Sequence, residues 1–372
     1  MVEARTALRG TAWVFYAVFV LEILFMISPA GLYFYSIYGP VLRFLGESPS
    51  TAWLTQFFLP HISTTADPLL NIVEPLGLLL LGLGIIVFLG SAIPLYWAKL
   101  MQRGEVTVGL YRFIRHPQYL GLALMGFGAL LIWPRFLALV LLIIMLALYR
   151  VLAGWEEQQC LARFGNSYRG YLAKTGRFLP RAWTKHLPRL LPETGLPRAM
   201  AGLAVFATVL VLSVAAAFGL RNYSLSQVAA IYGDKEVILS PAHLTAEELD
   251  AAYRTAMADS AVRAALDAAP AGNRLIYVIP QDWYLPDLPL EAQPPAGEVP
   301  RGSSTFDRTH DKLLFANARS HDPAASGPDV VKAAYRLDPI IVARVDIAAR
   351  KVIAMEKPPA HVRWGDIPTP TF

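Results

Sequence analysis

Two segments of the chain decide how it folds: Tyr111-Arg-Phe-Ile-Arg-His-Pro-Gln-Tyr-Leu-Gly121 and Trp155-Glu-Glu-Gln-Gln-Cys-Leu-Ala-Arg-Phe-Gly-Asn-Ser-Tyr168. Each lies at the end of a hydrophobic stretch of membrane length. Only Pro134 and Arg135 separate these two stretches, which predicts a tight helical hairpin with both open ends on the same side. The hairpin would then bring a histidine, tyrosines and two glutamates together at one membrane–water boundary.

The composition is that of a polytopic membrane protein. Of the 372 residues, 55% are hydrophobic and 16% are charged, whereas about a quarter of the residues are charged in soluble domains. Residues 1–220 hold 17 Lys and Arg against 9 Asp and Glu, and residues 221–372 hold 16 against 19, which predicts two parts in different environments. The basic excess falls in loops beside hydrophobic segments, where it sets topology, so no nucleic-acid partner is expected. The single cysteine excludes an intrachain disulfide and a cysteine-based zinc site.

Five stretches are long and apolar enough to be transmembrane helices, for which about 20 residues are needed. Basic residues lie before the first, between the second and third, and between the fourth and fifth. This pattern predicts a protein of the cytoplasmic membrane with a cytoplasmic N-terminus and with the residues after 220 on the outer side. The predicted spans are Thr11–Tyr38, Leu69–Leu100, Pro117–Trp133, Phe136–Trp155 and Ala199–Leu220.

The predicted fold is therefore an all-α polytopic membrane domain followed by a small extramembrane α+β domain. The predicted divisions are a membrane domain over 1–198, an additional transmembrane helix over 199–220, and the α+β domain over 221–372. In the last part Thr245-Ala-Glu-Glu248 forms a capping box that opens a helix to about Ala268. Strands are predicted at Arg274–Ile279, Lys312–Ala318, Ile340–Asp346 and Lys351–Met355, the last two as a hairpin.

The start of the third span has groups that can hold a polar ligand. Pro117 suits the first turn of a helix, so His116 comes just before it, and the free N–H groups of that turn suit an anion. Gly121, Met125 and Gly128 follow at helical spacing. They form a thin stripe where either another backbone or a flat ligand can approach.

Two consecutive carboxylates follow the fourth span. Glu156 and Glu157 have no Lys or Arg three or four positions away, so ion pairing along their own helix cannot satisfy them. Together with histidine and tyrosine they can hold a zwitterionic, cation-bearing cofactor such as S-adenosylmethionine, which spacing alone does not select. Equally, the aromatic groups can belong to an interfacial belt, with both glutamates solvated and the nearby arginines serving topology.

The ordered motifs resemble those of the isoprenylcysteine carboxyl methyltransferase and phospholipid methyltransferase superfamily. The residues Arg115-His116-Pro117-Gln118-Tyr119-Leu120-Gly121 resemble its R-H-P-x-Y-x-G motif. Its E-E…F-G-x-x-Y-x-x-Y…R-F-I-P ending is similar to Glu156-Glu157, Phe164-Gly165, Tyr168, Tyr171 and Arg177-Phe178-Leu179-Pro180. The resemblance covers roughly Leu95–Arg181. It implies an integral membrane methyltransferase that takes a methyl group from S-adenosylmethionine and a lipophilic or small acceptor (carboxylate, thiol or amine) from the bilayer.

The resemblance also implies which residues contact the cofactor. No metal and no committed catalytic residue follow from it; His116 is a candidate for proton transfer, with cofactor positioning favoured. Isoprenylcysteine enzymes resemble one another in an arginine four residues before the cofactor-binding glutamate, and this chain has Leu152 there. The implied cofactor contacts are Tyr111, His116, Pro117, Gln118, Tyr119 and Glu156, with Arg103, Gly104, Glu105 and Val106 in a loop that wraps the cofactor.

Two alternatives stay open at the level of sequence. Sterol reductases resemble this chain in a related R-H-P-x-Y segment but use NADPH, and they usually have more spans. The membrane part can also be a non-enzymatic anchor for a binding or sensing domain formed by residues 221–372.

Overall fold

The computed structural model describes residues 40–61, 63–101, 106–184, 195–285, 288–290 and 306–359. The predicted span Thr11–Tyr38 and the predicted contacts Arg103, Gly104 and Glu105 lie outside these residues. Within them, the chain divides into two compact units, one of residues 76–130 and 140–211 and the other of residues 40–75, 131–139 and 212–359. The predicted domain limits at 198 and 220 stay predictions.

Three described helical segments are long and apolar enough to cross a membrane: Pro68–Leu100, Phe136–Phe164 and Ala199–Ser226. The predicted span at Pro117 is a shorter helix of 16 residues, which at about 1.5 Å per residue falls short of a hydrocarbon core of about 30 Å. The count of five spans is therefore not confirmed. The helices up to residue 226 are α1 Pro40–Glu47, α2 Pro68–Asn71, α3 Val73–Leu100, α4 Pro117–Ile132, α5 Phe136–Phe164, α6 Asn166–Lys174, α7 Arg181–Thr184 and α8 Gly195–Ser226.

Helices α3 and α4 touch backbone to backbone, and glycines make this possible. A Cβ atom added to Gly121 would lie 2.7 Å from the Phe88 nitrogen, and one added to Gly128 would lie 2.5 Å from the Leu81 nitrogen. From the other side, a Cβ on Gly84 would lie 2.6 Å from the nitrogen of Met125. Small residues allow such close approach between membrane helices. The glycine stripe predicted from sequence therefore receives another backbone.

The turn of the predicted hairpin is present between α4 and α5, at Trp133-Pro134-Arg135. Arg135 is fully buried, its Nη1 donates to the Thr55 carbonyl at 3.0 Å, and its guanidinium lies 4.4 Å from the Phe57 ring centroid. The Phe58 amide donates to the Pro134 carbonyl at 2.9 Å. The turn is thus held against the segment after residue 50, which contains a 3₁₀ helix at Ala52–Thr55.

A six-stranded sheet forms the core of the second unit. Its strand order is β1-β2-β3-β4-β5-β6; β2 and β3 are parallel, and all other neighbours are antiparallel. Two helices connect β2 to β3, as a parallel pair requires a crossover. The elements are β1 Ala230–Tyr232, β2 Glu236–Leu239, α9 Ala246–Ala258, α10 Ser260–Ala268, β3 Arg274–Pro280, β4 His310–Ser320, α11 Pro328–Ala333, β5 Ala334–Asp346 and β6 Lys351–Glu356.

The predicted capping box is confirmed, but the helix it opens is shorter than predicted. The Glu248 amide donates to the Thr245 hydroxyl at 3.2 Å, and the Thr245 amide donates to the Glu248 carboxylate at 2.7 Å. The helix stops before Asp259, whose carboxylate accepts the amides of Ala261 and Val262 and caps α10. The four predicted strands are present with longer bounds, whereas β1, β2 and α11 were not predicted.

One carboxyl group is buried at the start of β4 without a partner for one of its oxygens. Asp311 is 2% exposed, and its Oδ1 has no hydrogen bond among the described residues. The charges that act on it are the carboxylates of Glu248, Asp307 and Asp282. Burial raises the pKa of Asp311, and these negative charges raise it further, to about 8.

The glycine contact predicts a difference between two helical glycines. Replacing Gly128→Ala forces a methyl group into the α3 backbone, and such overpacking costs about 1–3 kcal/mol. Gly90→Ala, in α3, is the matched control, because nothing lies within 4 Å of the added atom. We expect the melting temperature in detergent to fall for Gly128→Ala and to stay at the parent value for Gly90→Ala. Equal melting temperatures for both variants would contradict the close contact.

The buried Asp311 predicts a pH dependence of stability. Its folded pKa of about 8 lies above the ordinary aspartate pKa of 3.8, so the folded state keeps a proton that the unfolded state loses. The contribution of this group to the free energy of unfolding therefore falls as the pH rises from about 4 to about 8. We expect Asp311→Asn to remove this component, measured as hydrogen exchange of β4 at pH 6 and pH 9 after correction for intrinsic rates. An unchanged pH dependence in the variant would show that Asp311 does not titrate in this range.

Candidate functional site

The candidate site is assembled where the residues before α4 run beside the loop after α6. The Arg115 amide donates to the Gly176 carbonyl at 2.9 Å, and the His116 amide donates to the Arg177 carbonyl at 3.1 Å. Ile114 and Gly176 also form an isolated parallel bridge. Backbone pairing therefore fixes both segments against each other and carries their side chains towards α5.

Glu157 on α5 lies at the centre of a charged cluster. Its Oε1 accepts from Arg115 Nε at 2.7 Å and from Arg177 Nε at 3.1 Å, and its Oε2 contacts the second nitrogen of the same Arg177 guanidinium. The His116 Nε2 lies 3.4 Å from Oε1. The sequence predicted that no cation along its own helix pairs with Glu157, and its two arginine partners do come from other segments. Which segments supply them was not predicted.

Glu156, the preceding residue, has a different environment. Its carboxylate accepts from the Tyr119 hydroxyl at 2.5 Å and lies 3.2 Å from His116 Nδ1. Successive side chains on a helix point about 100° apart. Accordingly the Glu156 side chain is 41% exposed, whereas the Glu157 side chain is 9% exposed. One glutamate is available to a ligand, and the other is enclosed by protein.

His116 connects the two glutamates. Its ring stacks on Tyr119 with centroids 5.6 Å apart and lies 6.0 Å from the ring of Phe178. Burial lowers the pKa of the His116 imidazole, but the hydrogen bonds to Glu156 and Glu157 outweigh it, and the net pKa is raised above the usual histidine value. The protonated ring is thus favoured more strongly here than in an isolated histidine.

The other predicted contacts have different positions. Tyr111 is buried, and its hydroxyl donates to the Ser91 carbonyl at 3.3 Å. Pro117 and Gln118 are buried in the first turn of α4, and Val106 is half-buried. The structure therefore brings His116, Tyr119 and Glu156 into direct contact, while the Tyr111 hydroxyl has a protein partner. Cofactor binding by any of them stays a prediction.

Sequence reasoning missed the contribution of Arg115, Glu157 and Arg177 as a cluster. Arg115 also reaches the carbonyl oxygens of Leu172, at 3.4 Å, and Thr175. A signal was present, because all three charged residues lie inside the two quoted motifs. Among the residues that the structure describes, no group of three or more His, Cys, Asp or Glu is arranged to hold a metal ion.

Comparison with known proteins places a family match on this site. Residues 76–167 match the phospholipid methyltransferase family. The predicted family resemblance is thereby confirmed. The phospholipid methyltransferase match contains His116, Tyr119, Glu156 and Glu157, and it ends before Arg177. It indicates a membrane methyltransferase and favours neither the reductase nor the anchor alternative. No curated protein and no solved structure matches the chain.

The charged cluster predicts unequal effects for two nearby arginines. Arg115→Ala leaves Glu157 enclosed with one cation fewer, and breaking a buried ion pair costs about 3–5 kcal/mol. We expect a lower melting temperature and faster hydrogen exchange in residues 172–178. Arg112→Ala is the control, since Arg112 is exposed on the adjoining 3₁₀ helix Gly109–Arg112. Equal exchange in both variants would show that Arg115 does not hold this loop.

Proposed function

We propose that the chain is an integral membrane methyltransferase that binds S-adenosylmethionine at His116, Tyr119 and Glu156. Its acceptor is a lipophilic or small molecule with a carboxylate, thiol or amine, reached from the bilayer. The observation that carries this proposal is the position of the phospholipid methyltransferase match, which covers the one partly exposed carboxylate of the charged cluster. From the basic residues of the loops, we propose a cytoplasmic site and an outer location for the sheet of the second unit.

The residues present suit a zwitterionic cofactor that also carries a sulfonium. Glu156 is partly exposed and suits the ammonium group, and the first-turn N–H groups of α4 suit the carboxylate. Val106 and the preceding loop residues Arg103, Gly104 and Glu105 are proposed to wrap the cofactor, as the family resemblance implies. When bound, the cofactor supplies a methyl group activated by the sulfonium.

The protein's own residues align the reactants and exclude water in this proposal. Tyr119 and His116 fix the Glu156 carboxylate from two sides, at 2.5 Å and 3.2 Å. Tyr119 in turn stacks on buried Tyr149, with ring centroids 4.7 Å apart. The orientation of Glu156 is therefore set by packed aromatic rings, which suits binding of a ligand in one fixed pose.

Equilibrium binding of radiolabelled S-adenosylmethionine to the full chain in detergent tests the proposal. The double variant His116→Ala, Glu156→Ala should bind about 10- to 100-fold more weakly, since hydrogen bonds to charged groups contribute about 1.5–3 kcal/mol. A matched double variant, His243→Ala, Glu247→Ala, changes the same residue types at exposed positions of the second unit and should bind like the parent. Undiminished binding by the first variant would contradict this site. Protection by NADPH and not by S-adenosylhomocysteine would favour a reductase.

The methyl acceptor should be identified with the full chain and not with a truncated protein. Gln56 Nε2 and Arg221 Nη2 both donate to the Lys332 carbonyl, at 2.9 Å and 3.2 Å. Deleting residues 221–372 would remove the Lys332 carbonyl and leave Gln56 without this hydrogen bond. A loss of activity on truncation would therefore not distinguish a direct role of these residues from damage to the fold. Mass spectrometry of membrane extracts after isotopic methyl labelling, with and without the intact protein, identifies the methylated product directly.

A further inference from the structure

We propose that Glu157 is a positioning residue: it keeps His116 as an imidazolium, and this imidazolium orients Glu156 towards the cofactor. The part of this inference that concerns the cofactor rests on the proposed function. The part that concerns His116 and the two glutamates rests on their geometry alone.

Glu157 is itself held firmly in place. Arg115 comes from the segment before α4 and Arg177 from the loop after α6, and both guanidinium groups contact the same carboxylate. Arginine forms rigid, directional pairs with carboxylates. Because the Glu157 side chain is 9% exposed, water has little access to compete for it. The carboxylate therefore has one orientation, with Oε1 facing His116.

The two ring nitrogens of His116 each face a carboxylate. Nδ1 lies 3.2 Å from Glu156 Oε2, and Nε2 lies 3.4 Å from Glu157 Oε1. Carboxylates accept hydrogen bonds, and a neutral imidazole has only one N–H to donate, whereas the imidazolium has two. The protonated ring therefore satisfies both contacts at once.

Two carboxylates and two aromatic rings face His116. Glu156 and Glu157 face it from α5, Tyr119 stacks on it from α4, and the ring of Phe178 covers it from the loop. Arg115 and Arg177 are the cations next to this contact, and both donate to the same Glu157 Oε1 that His116 Nε2 faces. The raised pKa of the His116 imidazole agrees with this arrangement.

The consequence is a division of roles between consecutive residues. Glu157 does not need to touch the ligand, because its effect passes through His116 to Glu156. An imidazolium held between two carboxylates has no free lone pair with which to accept a proton. His116 thus serves as a positive link that fixes Glu156, and the candidate role of general base does not suit it.

Titration of His116 in the full chain, without any ligand, decides the first part. The protein is labelled with ¹⁵N-histidine in detergent, and His116→Gln assigns the signal. We expect an imidazolium signal in the parent at pH 7.5. In Glu157→Gln the signal should turn neutral at a pH lower by about one unit or more, since the ring loses one of its two carboxylates. A neutral His116 in the parent at pH 7.5, or an unchanged titration in Glu157→Gln, would overturn the inference.

Binding of S-adenosylmethionine between pH 6 and pH 8.5 tests the second part. The parent should bind with little pH dependence, whereas Glu157→Gln should weaken as the pH rises and His116 loses its proton. Glu157→Asp keeps the charge and should restore part of the binding at pH 8. A loss of equal size at every pH in Glu157→Gln would indicate only a folding role and overturn the proposal. If the parent fails to bind the cofactor, the proposed function falls, while the titration of His116 still decides the role of Glu157.

Discussion

A carboxylate that is almost enclosed at the end of a membrane-length helix has to be paired, and this requirement shapes the site. An unpaired buried charge is far more costly than a paired one. Glu157 meets the requirement with two arginines from different segments. The loop after α6 and the entry to α4 are therefore held at α5 by one acceptor. The backbone bridge at Ile114 and Gly176 then completes a small, rigid frame beside an apolar helical bundle.

Within this frame, neighbouring residues have separate tasks because of helix geometry. Glu156 and Glu157 are adjacent in sequence but point in different directions from α5. The enclosed one pairs with cations of the protein, and the partly exposed one is accessible from outside. A buried charged residue is also found at the other end of the hairpin, where Arg135 contacts the Phe57 ring and donates to the Thr55 carbonyl. Both ends of the hairpin thus have a buried charged side chain that contacts another segment.

Local patterns in the sequence predicted local structure well. The capping box at Thr245 and the turn at Pro134 are present because each depends on residues close in sequence. The approach of His116 to Glu156 was also predictable, since a hairpin brings its open ends together. The break at Asp259 was missed although an aspartate followed by a serine is a usual start of a helix.

Contacts between distant segments could not be predicted in this way. The cations of Glu157 lie 42 and 20 residues away along the chain, outside any helical repeat. Likewise β1 and β2 are only three and four residues long, too short for a periodic pattern, and their pairing depends on neighbours across the sheet. The count of five spans is not confirmed at α4, because an apolar stretch reports hydrophobicity and not the length of the helix it will form.

The glycine contact between α3 and α4 also limits how a lipophilic molecule can travel. At Gly84 of α3 and at Gly121 and Gly128 of α4, even a single added methyl group would meet backbone atoms at 2.5 to 2.7 Å. An acyl or prenyl chain is wider than a methyl group and cannot slip between these two helices. The contact between α3 and α4 is closed at these glycines, so any path for a lipophilic molecule from the bilayer has to run along another face of α4.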